Sequence, residues 1–359
     1  LIVGKLKEPI SEIELELKAG HAGRLFDLAL ELQLEIPLEL ENVSKSQRGY
    51  EHYRKSSPKV VKSRLPALTR DMSAHEAFRR IAWECLNHLQ GNQDMVLHGE
   101  DVEGVHQMRV ALRRLRSAFA VFRRVVGRER CIAILNELRW ITDVLGAARD
   151  LDVFITQTLP PVTERLQHHP GLLLLRDNAL IEKKKAYAAA HVALNSQRYH
   201  RLILTLGAWL ENERWRQDAP AIDTSLQDLA KTVLSKRNKE LRQHGERLVH
   251  MHPEERHAAR IAAKKLRYAA EFFAGLYPTI RARNFIQSLA QLQDVLGVLN
   301  DIAVTEGMIH RLIGQRPPRA LDEALHIFSG WNGCHAMHGL SHMEAAWQKF
   351  ARSTVFWRN

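Results

Sequence analysis

A histidine followed by three arginines at helical spacing is the first feature of the sequence that could do chemistry. The four residues are His106, Arg109, Arg113 and Arg116, within the segment VHQMRVALRRLRSAFAVF at 105–122. At about 100° per residue of an α-helix, they fall within an arc of roughly 80°. A separate apolar arc holds Met108, Leu112, Leu115, Phe119 and Phe122. One helix would therefore carry a packing face and a line of cations, which we name the first row.

The same pattern returns later in the chain and defines a second row. Its members are His257, Arg260, Lys264 and Arg267, in RHAARIAAKKLRYAAEFF at 256–273, and the offset is 257 − 106 = 151 at all four positions. Another pair of segments, WITDVLGAARDLDVF at 140–154 and QLQDVLGVLNDIAVT at 291–305, matches at the same offset. Two motifs at one offset indicate an internal duplication, each copy being a unit of about four helices.

Like charges along one helix face repel one another, so such a row favours an anionic ligand. A linear polyanion suits cations that recur every ~5.4 Å turn. Arginine binds phosphate oxygens through two parallel hydrogen bonds, lysine acts as a point charge, and the charge of histidine depends on pH. Phe119 and Phe122 lie on the apolar arc, whereas base stacking needs aromatic side chains among the cations. The pattern therefore predicts contact with a phosphate chain rather than with bases.

Four aspartates recur at matching positions of the second repeated segment: Asp143, Asp150, Asp294 and Asp301. One interpretation is that some of them pair with the cations or histidines of the rows and hold these side chains in place. The other is that they cap or solvate helix ends. The sequence leaves both open.

Composition limits the class of protein. The 359 residues carry a net charge of +11, and 26% charged against 45% apolar residues is typical of a globular chain. Residues 1–57 hold 8 basic and 10 acidic residues, so the rest has 52 − 8 = 44 basic and 41 − 10 = 31 acidic ones, a net +13. This excess indicates an anionic partner: nucleic acid, phospholipid or a free polyanion. No apolar run reaches the ~18 residues of a membrane helix, and the scattered cysteines suit a reducing cytoplasm.

Beyond the N-terminal region the apolar spacing is almost entirely helical. In the first copy it predicts helices at 73–90, 102–125, 129–157 and 171–214, the last with a break near Asn195 and Ser196. In the second copy it predicts helices at 224–246, 254–275, 279–313 and 319–355, the last interrupted by GWNGC at 330–334. Ser73 and Glu76 are expected to form a capping box. The predicted fold is all-α, with two four-helix bundles at about 71–215 and 222–357.

The N-terminal region predicts a small α+β part. Alternating apolar and acidic residues predict a strand at 10–18, a helix follows at 24–32, and 36–41 is a candidate second strand. The first strand is either an ordinary half-exposed one or a holder of a divalent metal and a phosphate, through Glu12, Glu14, Glu16 and Lys18. Residues 46–70 are polar and basic and contain proline, which is typical of a linker. Because the pattern begins in mid-domain at Leu1, we interpret the chain as a fragment.

The combination of H-x-x-R-V-x-x-R-R-L-R with D-V-L-G-x-x-R-D, present in duplicate, resembles the CHAD family, the conserved histidine α-helical domain, over about residues 70–357. Residues 1–45 resemble the C-terminal part of a CYTH domain, a triphosphate-tunnel fold, without its E-x-E-x-K signature. The CHAD resemblance implies two four-helix bundles related by a pseudo-twofold axis, with a basic channel between them that binds inorganic polyphosphate. The CYTH resemblance implies inorganic triphosphatase activity for a longer protein that contains the complete domain.

Carried onto this sequence, the resemblance implies polyphosphate contacts from His106, Arg109, Arg113, Arg114, Arg116, His257, Arg260, Lys264, Lys265 and Arg267. Two further cations, Lys183 and Arg198, are added to this set. The second copy has lysines at 264 and 265, and Asn300 in place of Arg149, so we expect it to bind phosphate less specifically. No cofactor is expected. The predicted partner is inorganic polyphosphate, including polyphosphate granules.

Two other functions remain open. Net charge alone would suit a helical nucleic-acid-binding protein, and a phosphotransfer domain would use His106 or His257 as the phosphorylated residue. Cys334, His335, His338 and His342 have helix-compatible metal spacing, but flanking glycines favour a turn and no metal site is predicted. The helical part has no glycine-rich phosphate loop or nucleophile–base pair, so a non-catalytic docking or targeting module is the predicted function.

Overall fold

The computed structural model describes residues 2–3, 6–7, 9–54, 57–127, 129–212, 225–245 and 252–358. Nearly all regular structure within these ranges is α-helical, so the predicted all-α fold is confirmed. Two very short strands, β1 (Ile2–Val3) and β2 (Leu6–Lys7), pair antiparallel at the N-terminus.

The helices follow in chain order. Those before residue 212 are α1 (Gly23–Glu35), α2 (Lys45–Arg54), α3 (Ala74–Gln90), α4 (Gln93–His98), α5 (Glu103–Val121), α6 (Arg123–Val126), α7 (Ile132–Val153), α8 (Pro160–Arg165), α9 (Pro170–Leu194) and α10 (Gln197–Glu211). Those after residue 225 are α11 (Leu226–Gly245), α12 (Pro253–Phe273), α13 (Thr279–Ile313) and α14 (Arg319–Ala351). Among the described residues, no helix is both long and apolar enough to cross a lipid bilayer.

Two predicted helix boundaries are confirmed by their hydrogen bonds. Ser73 and Glu76 form a capping box, in which Ser73 N donates to Glu76 Oε2 at 2.8 Å and Glu76 N donates to Ser73 Oγ at 3.2 Å. The break near residue 195 separates α9 from α10, and Ser196 caps α10 by accepting from Tyr199 N at 3.2 Å.

The predicted strands at 10–18 and 36–41 are wrong, since neither segment forms regular strand in the structure. Acidic side chains of the first segment bond to α2 instead: Lys45 Nζ lies 2.8 Å from Glu12 and 3.0 Å from Glu14. A strand needs a neighbour that satisfies its backbone groups, and side-chain ion pairs do not supply one. The alternation marks a charged face, but within the described residues no strand pairs with this segment.

Helix α2 lies at the start of the segment interpreted as a linker, whose role as a linker stays a prediction. One other expectation is corrected. The predicted interruption at 330–334 does not occur, because α14 runs unbroken through both glycines. Each internal glycine costs a helix only about 1 kcal/mol, and burial of the apolar side chains of Phe328 and Phe350 on the same helix offsets that cost. The predicted helix at 24–32 is confirmed and extends over α1.

The chain divides into two compact units. The first comprises described residues of 1–64, 78–146 and 187–222; the second comprises those of 65–77, 147–186 and 223–359. Residues 147–186, which the repeat assigns to the first copy, thus group with the second.

An aromatic cluster occupies the core of the first unit. The ring of Phe78 lies 5.2 Å from that of Phe119, 5.7 Å from Phe122 and 5.8 Å from Trp209. The whole predicted apolar arc of α5 is buried, which confirms it. Helix α1 packs against α10, where Asn212 Nδ2 donates to Asp27 Oδ1 at 2.8 Å.

The second unit holds α12 between its neighbours α11 and α13. Leu266, Phe272 and Phe273 bury the apolar side of α12 completely. Another core cluster of this unit joins Phe154 to Phe328, whose rings are 5.9 Å apart. Each row therefore sits on a helix whose orientation is fixed by its opposite, apolar side.

Candidate anion-binding helices

The first row lies along α5, at the margin of the buried face. His106, Arg109, Arg113 and Arg116 are all half-buried. The apolar arc beside them is inserted into the core, so the helix cannot turn the row away without exposing that arc. Partial burial also makes each positive charge stronger toward a nearby anion than it would be in bulk water.

Arg109 is held by the neighbouring helix α7. Its Nη1 donates to the backbone carbonyl of Thr142 at 2.8 Å. Gly146, one turn further along α7, leaves the space beside this guanidinium, because a Cβ atom there would lie 2.6 Å from Nη1. The repeated D-V-L-G element therefore contacts the row through its glycine and through the carbonyl just before its aspartate.

Arg113 and Arg116 are the cations of the first row whose guanidinium N–H groups could bind an external anion. The Nε atom of Arg113 is buried and has no hydrogen-bond acceptor. Within the described part of the chain, neither arginine forms an ion pair with an acid. A buried donor without an acceptor is uncommon in folded proteins, because leaving it unpaired costs about 1–3 kcal/mol. These two side chains are suited to an oxyanion from outside.

Arg114 points elsewhere and has a structural role. It is only 5% exposed, and its Nη2 donates to the carbonyl of Arg64 at 3.2 Å. Cys85 lies beside it, and burial raises the pKa of that thiol to about 11 although Arg114 opposes the shift. The guanidinium therefore ties an extended segment to the core of the first unit.

The second row lies along α12. Arg260 Nη2 is 3.7 Å from Asp301 Oδ1, which confirms for this pair that an aspartate of the repeated element faces a cation of the row. The Nε atom of Arg260 is buried without a hydrogen-bond acceptor, as in Arg113. Arg267 Nε donates to Glu271 Oε1 at 2.9 Å on the same helix. His257 and Lys265 are exposed, and Lys264 is half-buried.

A cation that the sequence did not single out lies beneath the second row's helix. Arg237 on α11 donates from Nη1 to the carbonyl of Lys265 at 2.5 Å. Burial lowers the pKa of this guanidinium to about 10. The repeat does not reveal it, because the matching position of the first copy, 237 − 151 = 86, holds Leu86 rather than a cation.

The two added cations are already paired. Lys183 Nζ lies 2.7 Å from Oδ1 of Asp152, whose side chain is fully buried. Arg198 Nε donates to Glu137 Oε2 at 2.6 Å, and its guanidinium stacks 4.0 Å from the centre of the Trp140 ring. Glu137 also raises the pKa of Arg198. Both side chains are therefore part of the fold's own charge network.

Other clusters of titratable residues lie apart from the rows. Cys334, His335 and His342 are exposed on α14, and the side chain of His338 lies outside the described residues. In the part of the chain that the structure describes, no three histidine, cysteine or acidic residues are arranged to hold a metal ion. A groove of about 470 Å³ in the second unit is lined by His169, Asp322, Glu323, His326 and Ile327. The groove is lined by two acidic residues and no arginine or lysine, so it does not resemble the cationic rows.

Comparison with known protein families gives a match that includes all residues of both rows. A family model described as the CHAD domain matches residues 80–310. Uncharacterized protein Rv2226 of Mycobacterium tuberculosis is 28% identical over 225 residues, which is 61% of this chain. The match spans only 42% of that relative's own length. The inorganic triphosphatase of Haemophilus influenzae is 44% identical over 50 residues, 14% of either chain.

Two solved structures share the fold. The CHAD domain from the plant Ricinus communis superposes with a TM-score of 0.70 at 34% identity, covering 81% of this chain and 96% of that one. PptA from Streptomyces chartreusis superposes with a TM-score of 0.58, covering 76% of this chain and 99% of that one. At 15% identity the second likeness concerns the fold alone.

Proposed function

Because the chain belongs to the CHAD-domain family, we propose that its two cationic rows bind inorganic polyphosphate and that the helical part is a docking or targeting module. The family match at 80–310 includes every residue of both rows. Each row presents positive charge and N–H donors along a helix, which suits a chain of phosphates better than a single small anion. In this proposal the ligand is bound and not transformed.

The observation that carries the proposal is an unsatisfied guanidinium nitrogen in each row. Nε of Arg113 and Nε of Arg260 are both buried, and neither has a hydrogen-bond acceptor within the described structure. Folding leaves such donors unpaired only at a cost, and a phosphate oxygen would satisfy them with a charge-assisted bond. The two arginines are at different positions of the repeat, since Arg113 matches Lys264 and Arg260 matches Arg109. Each row nevertheless has one such nitrogen, which supports a shared ligand chemistry.

The set of residues proposed to contact polyphosphate is smaller than the set expected from the sequence. The first row supplies His106, Arg109, Arg113 and Arg116, and the second supplies His257, Arg260, Lys264, Lys265 and Arg267. Three cations are left out for separate reasons. Arg114 is only 5% exposed, and Lys183 is the counter-ion of the fully buried Asp152. Arg198 donates to both carboxylate oxygens of Glu137 and stacks on Trp140. That one basic channel serves both rows stays a prediction.

Polyphosphate is favoured over nucleic acid because the aromatic residues of the first row's own helical segment are not available for stacking. Phe119 and Phe122, the aromatic residues of its helical segment, are buried in the core at 3% and 0% exposure. Single-stranded nucleic acids are bound by stacking bases on exposed aromatic rings as well as by charge. The exposed side of this helical segment therefore offers charge and hydrogen-bond donors rather than aromatic rings.

Triphosphatase activity is proposed only for a longer protein with a complete CYTH domain. In this chain Glu12 is engaged by Lys45 and Arg48, and the hydrogen bond from Lys45 is the main reason that the pKa of Glu12 is lowered. Its carboxylate therefore balances α2. The short match to an inorganic triphosphatase supports a common origin of this region.

The test is binding of long-chain polyphosphate and of duplex DNA of equal charge, each across a salt series. For ~6–8 phosphates contacted, log affinity should fall against log salt with a slope near −4 to −6, at about −0.7 per phosphate. Arg113→Ala should weaken polyphosphate binding about tenfold and make the slope shallower by about 0.7.

The matched control is Arg124→Ala, which removes an exposed arginine of α6 in the same unit. It lowers the net charge by the same amount and should leave affinity within about twofold. If DNA binds as well as polyphosphate, or if both variants weaken binding equally, the chain has a general basic surface and the proposal is wrong.

A further inference from the structure

Gly146 is the glycine of the first D-V-L-G element, and it lies where α7 approaches the first row. A Cβ atom at this position would lie 2.6 Å from Nη1, 3.6 Å from Cζ and 3.9 Å from Nη2 of Arg109. Its three nearest neighbours would thus all belong to one guanidinium, the mobile end of a long side chain. Alanine would fit the backbone of α7 without clash and would displace Arg109 instead.

The space that Gly146 leaves lets the guanidinium of Arg109 reach a fixed acceptor. Nη1 of Arg109 donates to the carbonyl of Thr142 at 2.8 Å, four residues before the glycine. Thr142 is itself held, because its Oγ1 donates to the carbonyl of Leu138 at 2.6 Å. A guanidinium is planar, so fixing one of its nitrogens against a rigid helix restricts the direction of the others.

The second copy provides a contrast within the same chain. A Cβ atom at Gly297 would meet nothing within 4 Å. Arg260, the counterpart of Arg109, has its Nη2 3.7 Å from Asp301 on the neighbouring helix. The glycine is therefore present in both copies, but only the first uses it to seat the arginine of its row.

We propose that Gly146 is a positioning residue of the first row, which preorients the Arg109 guanidinium for a phosphate oxygen. The inference rests on the proposed polyphosphate binding and names what holds one of its contacts in place. Preorientation reduces the entropy that the Arg109 side chain loses on binding, so Gly146 strengthens binding through the first row.

The experiment compares Gly146→Ala with Gly297→Ala, each alone, and adds Gly146→Ala to an Arg109→Ala background. Affinity for long-chain polyphosphate is measured at one salt concentration. Gly146→Ala should weaken binding about fivefold to tenfold, the range expected for one misdirected charged hydrogen bond. Gly297→Ala should stay within twofold. In the Arg109→Ala background the glycine change should have no further effect, since it acts through that side chain.

An independent readout separates this inference from the proposed function. The side-chain nitrogen resonances of Arg109, followed by NMR with labelled arginine, should shift in Gly146→Ala. The midpoint of thermal unfolding should not fall, because alanine is the better helix former inside α7. If the wild-type protein does not bind polyphosphate, the proposed function fails, yet the resonances still report the seating of Arg109. Unchanged resonances, or an equal loss of binding with and without Arg109, would overturn the positioning role.

Discussion

At the scale of single residues, the role of a basic side chain in this protein depends on whether the fold itself supplies an acidic partner. Arg113 and Arg116 have no acid partner among the described residues, whereas Lys183 lies 2.7 Å from the buried carboxylate of Asp152. The two kinds of cation look alike in a composition count. They differ because a buried carboxylate needs a counter-ion from the fold, whereas a cation at the protein surface can take one from solution.

Lys183 should therefore matter to stability and little to ligand binding. Replacing it with methionine in Lys183→Met removes the cation 2.7 Å from the fully buried carboxylate of Asp152, and we expect a loss of about 3–5 kcal/mol in the free energy of unfolding. Urea denaturation at neutral pH measures this loss. Lys184→Met, at the exposed neighbouring position, should change stability by less than about 0.5 kcal/mol. A similar effect from both variants would show that the ion pair is not what stabilises the second unit.

At the scale of helices, the buried histidine between α3 and α5 couples the first unit to pH. His88 is 4% exposed, and its Nε2 lies 3.0 Å from Gln107 Oε1. Burial is the main cause that lowers the pKa of His88 from 6.5, and the charge of Arg114 adds to it. Hydrogen bonds of the ring with Gln107 and with the backbone of Val61 favour the protonated form, but they do not outweigh the effect of burial on the pKa of His88.

Because folding lowers the pKa of His88, the first unit should lose stability as the pH falls. In the unfolded chain His88 takes up a proton near pH 6.5, whereas in the folded chain it does so only at lower pH. The stability that neutral His88 contributes is therefore complete above pH 6.5 and is lost as the pH falls below it. Denaturation at pH 7.5 and pH 5.5 should show this loss, and His88→Gln should reduce it. An unchanged pH dependence in His88→Gln would place the effect at other groups.

Helical periodicity was enough to predict most of α3, α5 and α12, because one apolar side of each must face a core. The row on α5 and the buried arc of Met108 and Phe119 follow from that spacing alone. Spacing could not show that the strand at 10–18 lacks a neighbour, since pairing depends on a distant segment. It also could not show that Lys183 meets Asp152 or that Gly146 borders Arg109. Those contacts depend on how separate helices pack.

At the scale of the whole molecule, the net charge of +11 and the two rows should act on different steps of binding. A charge spread over the surface attracts a polyanion from a distance and raises the association rate, and salt screens this effect over about 10 Å at 0.1 M. The rows act at contact, through directed hydrogen bonds that must break before the ligand leaves. Dissociation should therefore depend on Arg113 and Arg260 rather than on the total charge.

Charge reversal at two exposed arginines of the first unit tests this division. Arg124→Glu with Arg139→Glu changes the net charge from +11 to 11 − 4 = +7 and leaves both rows intact. In stopped-flow measurements with polyphosphate, this double variant should associate several-fold more slowly at low salt, and the difference should vanish near 0.3 M salt. Arg113→Ala should instead speed dissociation about tenfold, since it removes a bond made at contact. If the double reversal speeds dissociation as much as Arg113→Ala does, cations outside the rows hold the ligand, and the rows are not its binding site.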